Sequence, residues 1–192
     1  MTDDSALLQA AKNLDKDGLT VIFDTYAPAI YKYALRLCQD PIDSDKIVGD
    51  VFSLLLEQFV SGKGPVTNLR SYLYQIAYHL IVDRARHNKR TISLEVITEP
   101  FIPVTSSPRM QIEERSLINV MVLALNSTLS EDQRHVIILR FLEGFSLKET
   151  AAILGKSLSS VKVIQNRAVA RLRKSLLRNS QIQKPHLFLD EA

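Results

Sequence analysis

Tryptophan is absent from this 192-residue chain, and Cys38 is its one cysteine. A lone cysteine excludes an intramolecular disulfide, so the fold must rest on packing, and a reducing compartment suits it. Glycine is scarce, at six residues, which together with the missing tryptophan fits a mostly helical protein. The four histidines (His79, His87, His135, His186) have no CxxC partner and no HExxH pattern, which argues against a zinc site, and nothing calls for a cofactor. No apolar run approaches the roughly eighteen residues that span a bilayer. The opening MTDDSALLQAAKN is acidic, the wrong flank for a secretory signal, so the expected location is the cytoplasm.

One absence is local. Between Lys156 and Lys184 there are eight Lys/Arg and no Asp or Glu, whereas Met1 to Val60 carries ten acids against five bases. The net charge of +3 hides this asymmetry, which points one region towards an anionic polymer and another towards a different partner. With 46% hydrophobic residues, the chain has ample material for packed cores. Its length suits one medium domain or two small ones.

Helical periodicity runs almost throughout. Ser5–Leu14 forms a short amphipathic segment. Leu19–Cys38 carries Val21, Ile22, Tyr26, Ile30, Tyr33, Ala34 and Leu37 on one stripe, with Pro28 marking a kink or break. Asp40-Pro41-Ile42-Asp43 is a turn with a fresh cap, and Ile47, Val51, Leu54, Leu55 and Gln58 line the next helix. Ser61–Pro65 breaks it, and Thr67 or Asn68 caps a helix running towards Arg90. Residues 91–108 differ: three prolines with β-branched and hydroxyl residues make an extended linker, or a short strand. A helical pattern resumes near Gln111, and Ser130–Gln133 and Ser146–Glu149 are capping boxes that open two further helices. The expected architecture is all-α, with helical domains over 1–90 and 112–178, a linker over 91–111 and a tail over 179–192.

The stretch Ser146–Arg173, SLKETAAILGKSLSSVKVIQNRAVARLR, has the offsets of a helix-turn-helix. Ala151 supplies a small residue at the crossing, Gly155 opens the turn, and Val161 faces back to the first helix. On the second helix Leu158, Val161, Ile164, Ala168 and Leu172 form the buried stripe. Ser159, Ser160, Lys162, Val163, Asn166, Arg167 and Arg171 then look outward. Lys162 and Arg167 suit phosphates or guanine edges, and Asn166 suits adenine, in a duplex major groove. The plain alternative is a solvated basic helix in an ordinary bundle.

Two other clusters stand out. In Asn68–Arg90, Tyr72, Tyr74 and Tyr78 precede Arg84, Arg86, Lys89 and Arg90 on one helix. Rings interleaved with cations suit a separated nucleic-acid strand, and equally a core lined with tyrosine whose basic end meets the helix dipole. Asp83 reads as a local ion-pair partner of Arg84 and Arg86. In Asp43–Glu57 the outward face holds Lys46, Gly49, Asp50, Ser53 and Glu57. A glycine exposed inside a helix suggests a close approach there, either in a protein-docking face or in an unremarkable solvent face.

In this order and spacing the clusters resemble the bacterial sigma factors of RNA polymerase, of the extracytoplasmic-function (ECF) type. DSDKIVGDVF (Asp43–Phe52) is similar to the family's polymerase-docking helix. RSYLYQIAYHLIVDRAR (Arg70–Arg86) is similar to its W-L-x-x-I-A-x-N-x-x-x-D-x-x-R segment. LSEDQRHVIILRFLEGFSLKETAAILGKSLSSVK (Leu129–Lys162) resembles its helix-turn-helix pattern. The resemblance implies that Asp50 and its neighbours grip the clamp coiled coil of the polymerase β′ subunit, with the β subunit a further contact. It implies that the Gly62–Asn68 loop with Lys63, and the helix after it, open the minus-ten element. Lys162, Arg167 and their neighbours would read the minus-thirty-five element, and the linker would thread towards the polymerase active site. An anti-sigma factor is an implied partner, and no catalytic residue is implied. Departures concentrate in the recognition helix, where Ser159-Ser160 replaces glycine-threonine and Val163-Ile164-Gln165 replaces serine-arginine-leucine.

A reading from another class is a stand-alone helix-turn-helix regulator whose N-terminal domain dimerises or senses a ligand. It needs no tyrosine-and-base cluster. An enzyme is disfavoured because no His/Asp/Glu/Cys constellation has workable spacing.

Overall fold

The computed structural model describes residues 4–65, 67–91 and 125–182, and among them regular structure is entirely helical. By their packing they divide into two compact units, one of 1–106 with 145–158 and one of 107–144 with 159–192. The linker expected over 91–111 lies outside the described residues except for Thr91, and so does the tail beyond Ile182.

The first unit begins with α1 (Asp4–Lys12), which buries Leu7, Leu8 and Ala11. The second helix, α2 (Lys16–Cys38), starts on Asp15, whose carboxylate accepts the Gly18 N–H at 2.9 Å. It runs through Pro28 without a break, so of the kink or break expected there the break is absent. Pro28 and Asp24 are exposed, so the carbonyl deprived of its helical donor can turn to water. Gln39 ends α2 in the left-handed region, φ 58°. Asp40 then caps α3 (Pro41–Val60) by accepting the Asp43 N–H at 2.9 Å, and Pro41 takes the first helical position, where its missing N–H costs nothing.

After α3 the chain turns at Gly62, φ 69°, and Gly64 lies against the buried Phe59 ring, where a Cβ would come within 2.4 Å. Asn68 opens α4 (Leu69–Thr91), its side-chain oxygen accepting the Ser71 N–H at 3.0 Å. Helices α2, α3 and α4 pack on one another through Ile22, Ile30 and Tyr33, then Ile47, Val51 and Leu55, then Leu69, Leu73 and Ala77. Burying a large aliphatic side chain stabilises by about 1.5–3 kcal/mol, so this three-helix core is the main source of the unit's stability. The segment 145–158 also packs in this unit: buried Phe145 meets the Tyr74 ring edge-on at 4.8 Å, and the Arg70 guanidinium lies 4.1 Å from the Phe145 centroid.

In the second unit α5 (Glu131–Ile137) passes into a π-helical turn (Ile138–Leu142) closed by the Glu143 N–H on the Ile138 carbonyl at 2.9 Å. Gln133 is buried, and its side-chain oxygen accepts the Ser130 N–H at 3.2 Å, as the capping-box reading requires. Val136, Ile138 and Leu139 supply the buried face. The second capping box, in the 145–158 segment of the first unit, is complete: Ser146 Oγ accepts the Glu149 N–H at 3.2 Å, and Glu149 accepts the Ser146 N–H at 2.8 Å. The hydrogen bond to Ser146 is the main reason the Glu149 carboxyl titrates below the usual glutamate range. This box opens α6 (Leu147–Ile153), the turn follows at Gly155, φ 60°, and α7 (Leu158–Ile182) completes the described chain.

Candidate nucleic-acid interface

On α7 one face is buried through Val161 and Ala168, with Ile164 and Leu172 half-buried. Leu158, expected in that stripe, is 42% exposed. Side chains lean towards a helix N-terminus, and as the first helical residue Leu158 has no preceding turn of its own helix to lie on. Ser159, Ser160, Lys162, Val163, Asn166 and Arg167 are all exposed, at offsets of three, four and seven that make one continuous surface. Val163 is 47% exposed, an apolar patch among donors that is suited to a thymine methyl. Arg171 stands apart: its Nη1 donates to Gln133 Oε1 at 3.0 Å, so this guanidinium braces α7 against the cap of α5. Gln165 likewise accepts from Arg140 Nε at 3.1 Å.

The tyrosine-and-base helix divides more sharply. Tyr74 is fully buried, 5.2 Å from the Tyr33 ring, so it has no face on which a base can stack; the structure gives it to the core. Tyr72 is half-buried at the start of the same helix, and Lys63 and Asn68 are exposed in and after the turn before it. Arg84 also leaves the strand-binding set. Its Nε donates to Asp43 Oδ2 at 2.6 Å and its Nη2 donates to Asp43 Oδ1, a two-point clamp between α4 and the first turn of α3. Sequence spacing offers it Asp83, but that carboxylate pairs with Arg86 at 3.3 Å at the surface. Lys89 and Arg90 fall in the last turn of α4, and their side chains lie outside the described residues.

The Asp43–Arg84 clamp has a neighbour the sequence does not flag. Burial, reinforced by the Asp43 charge, pushes the Cys38 thiol from 9.0 up to about 11. A thiol whose folded pKa lies above its unfolded value favours unfolding once pH rises past about 9, the unfolded pKa. At pH 8 its thiolate fraction is about a hundredfold below that of an unperturbed cysteine, since two pKa units separate them. Alkylation with iodoacetamide at pH 8 will therefore run about ten- to a hundredfold slower in the native protein than in urea-unfolded protein, the greater nucleophilicity of the high-pKa thiolate offsetting part of the deficit.

Lys46, Gly49, Asp50, Ser53 and Glu57 are all exposed along α3. A Cβ on Gly49 would meet no other atom within 4 Å, so no internal packing asks for glycine. Gly49→Ala is expected to raise stability by about 0.5–1 kcal/mol in a urea melt. Among the described residues no group of three His, Cys, Asp or Glu side chains is placed to hold a metal ion, and no helix is long and apolar enough to cross a membrane.

Two family models match the chain, Sigma-70 region 2 over residues 22–91 and Sigma-70, region 4 over residues 127–174. They take in both surfaces just described, in order, and together cover well over half of the chain. The chain belongs to the sigma-70 family, in its extracytoplasmic-function branch.

Among relatives of this sigma factor, the ECF RNA polymerase sigma factor BldN of Streptomyces coelicolor is 27% identical over 173 residues, covering 88% of the chain and 64% of that protein. The ECF RNA polymerase sigma factor SigX of Bacillus subtilis is 29% identical over 167 residues, covering 84% of each. The solved structure of CnrH, in complex with the cytosolic domain of CnrY, shares the fold at a TM-score of 0.68 and 22% identity, covering 90% of this chain and 96% of that one. The stand-alone regulator reading gives way, because the region 2 match occupies the segment it reserved for dimerisation or sensing. What sequence reasoning misses in this sigma factor is the Asp43–Arg84 clamp, whose partners lie 41 residues apart.

Proposed function

We propose that this sigma factor carries core RNA polymerase to specific promoters through two surfaces, and opens the start site with the first of them. The exposed face of α7 (Ser159, Ser160, Lys162, Val163, Asn166, Arg167) reads the minus-thirty-five duplex. Cations and an amide at that spacing suit phosphates and base edges. Lys63, Asn68 and Tyr72, with Arg86 and the basic end of α4, receive the separated minus-ten strand. Lys46, Gly49, Asp50, Ser53 and Glu57 form the docking face for the β′ clamp coiled coil, and the β subunit is the second polymerase contact. The domain boundaries that go with this reading are 1–90 and 112–178, joined by 91–111.

The observation that supports it most is the order of the two family matches on one chain, each over an exposed surface of suitable chemistry. Binding and strand separation need no catalytic group, and the assignment names none. Two weak interactions tethered to one polymerase multiply, so the isolated protein binds promoter DNA poorly and loses that binding steeply with salt. The protein acts in the cytoplasm, where an anti-sigma factor that covers either surface switches it off. Transcription in vitro with core polymerase and a promoter library tests the reading. Promoter-specific starts that depend on the added protein support it; tight palindrome binding with no such starts overturns it.

A further inference from the structure

The start of α4 is covered by a segment from much later in the chain. Phe145 is only 1% exposed, its ring edge-on to Tyr74 at 4.8 Å, with the Arg70 guanidinium 4.1 Å from its centroid. Four residues on, Glu149 Oε1 accepts from Asn68 Nδ2 at 3.4 Å. Behind the bonds from Ser146, that amide and the Arg70 charge add to the lowering of the Glu149 carboxyl. The segment thus lays a flat ring against an arginine and an anion against an amide. An unpaired nucleotide offers the same two groups, a ring for a guanidinium and an anion for a donor.

Asn68 is among the residues assigned above to the separated minus-ten strand, and Arg70 follows it on the same helix. Resting on that assignment, we propose that Phe145–Glu149 is an intramolecular competitor for the strand. Docked on α4 it occupies Asn68 and Arg70, and single-stranded DNA takes them only once it has left.

Departure is built into the backbone. Segment 145–158 packs in the first unit, whereas 107–144 and 159–192 group with the second. Gly144, φ 73°, stands at the first of these boundaries, and a Cβ there would meet no atom within 4 Å. Conformation, not crowding, calls for glycine at this point, as a hinge at the edge of an element requires. Gly155, φ 60°, lies just past the end of α6. The docked contact is small, and Asn68 remains exposed within it. Held by its own chain, such a contact still competes with a dilute strand. Because α6 is also the first helix of the helix-turn-helix, any partner that draws it away from α4 frees the strand site in the same step.

The test uses the full chain and a fluorescein-labelled oligo-dT strand. In a Cys38→Ala background, Thr67→Cys and Lys148→Cys place thiols on the exposed neighbours of Asn68 and Glu149, to be joined by a short reducible bis-thiosulfonate linker. Linking is expected in the native chain and is lost with Phe145→Ser. The linked chain should bind the strand about tenfold more weakly than the same chain after reduction, and Phe145→Ser about tenfold more tightly than the parent. Glu149→Gln, which keeps the capping box, should give part of that gain. The linked and reduced chains both retain Phe145, so their comparison decides the matter even where Phe145→Ser unfolds. Failure to link, or equal binding by the linked and reduced chains, overturns the proposal. Equal and measurable binding leaves the strand-receiving role intact, whereas no binding by any form removes that role as well.

Discussion

Arg84→Gln will destabilise the first unit by about 2 kcal/mol, measured as a shift in the urea midpoint at unchanged m-value. Removing one member of a fully buried pair costs about 3–5 kcal/mol, and the figure here is lower because water reaches part of both side chains. Their relative exposures are 31% for Arg84 and 17% for Asp43. Arg84→Lys should recover only part of the loss, since an ammonium cannot make the two-point fork on Asp43. Asp43→Asn should match Arg84→Gln, and the double variant should fall well short of the sum. Once corrected for the folded fraction, promoter opening should be unchanged. A variant of full stability that fails in strand binding would return Arg84 to the nucleic-acid surface.

Lys162→Ala with Arg167→Ala will lower transcription from a promoter of this sigma factor by about a hundredfold, at about 1–3 kcal/mol for each side chain truncated. Truncating a side chain that holds a phosphate should also flatten the salt dependence of DNA binding by about one unit of slope. Thermal stability should stay within about 0.5 kcal/mol of the parent, because both are surface residues. Arg171→Ala should show the opposite balance, losing stability through its hydrogen bond to Gln133 while promoter selectivity holds. Loss of selectivity in Arg171→Ala without loss of stability would redraw the reading face.

Where the sequence is legible, the determining interaction is local. Both capping boxes pair residues three apart, so Ser130–Gln133 and Ser146–Glu149 can be located without any tertiary information. The alternation on α7 is likewise visible, since Val161 and Ala168 repeat at helical spacing. Tyr74 is a different case, because its signal is present: it stands three residues before Ala77 and seven before Ile81, on the buried stripe. The chemical appeal of three tyrosines near four bases outweighs that register. Arg84 is beyond reach for another reason. A nearer carboxylate, Asp83, offers itself, and only packing brings Asp43 within bonding distance. Pro28 shows the converse: a residue rule with a real cost in helices is set aside where the deprived carbonyl faces solvent.

The π-helical turn at Ile138–Leu142 has a genetic consequence. A helix that closes over five residues instead of four holds one more residue than its length requires. Deleting a single codon there would let the turn rewind as ordinary α-helix, and whatever lies beyond the cut would keep its facing, because the residue lost is the one the wider turn accommodates. Insertions and deletions are usually tolerated in loops, but here a frame-preserving loss inside a helix would be absorbed by the backbone. In a lineage of such proteins, length variation at this point would leave the hydrophobic interior spelled as before.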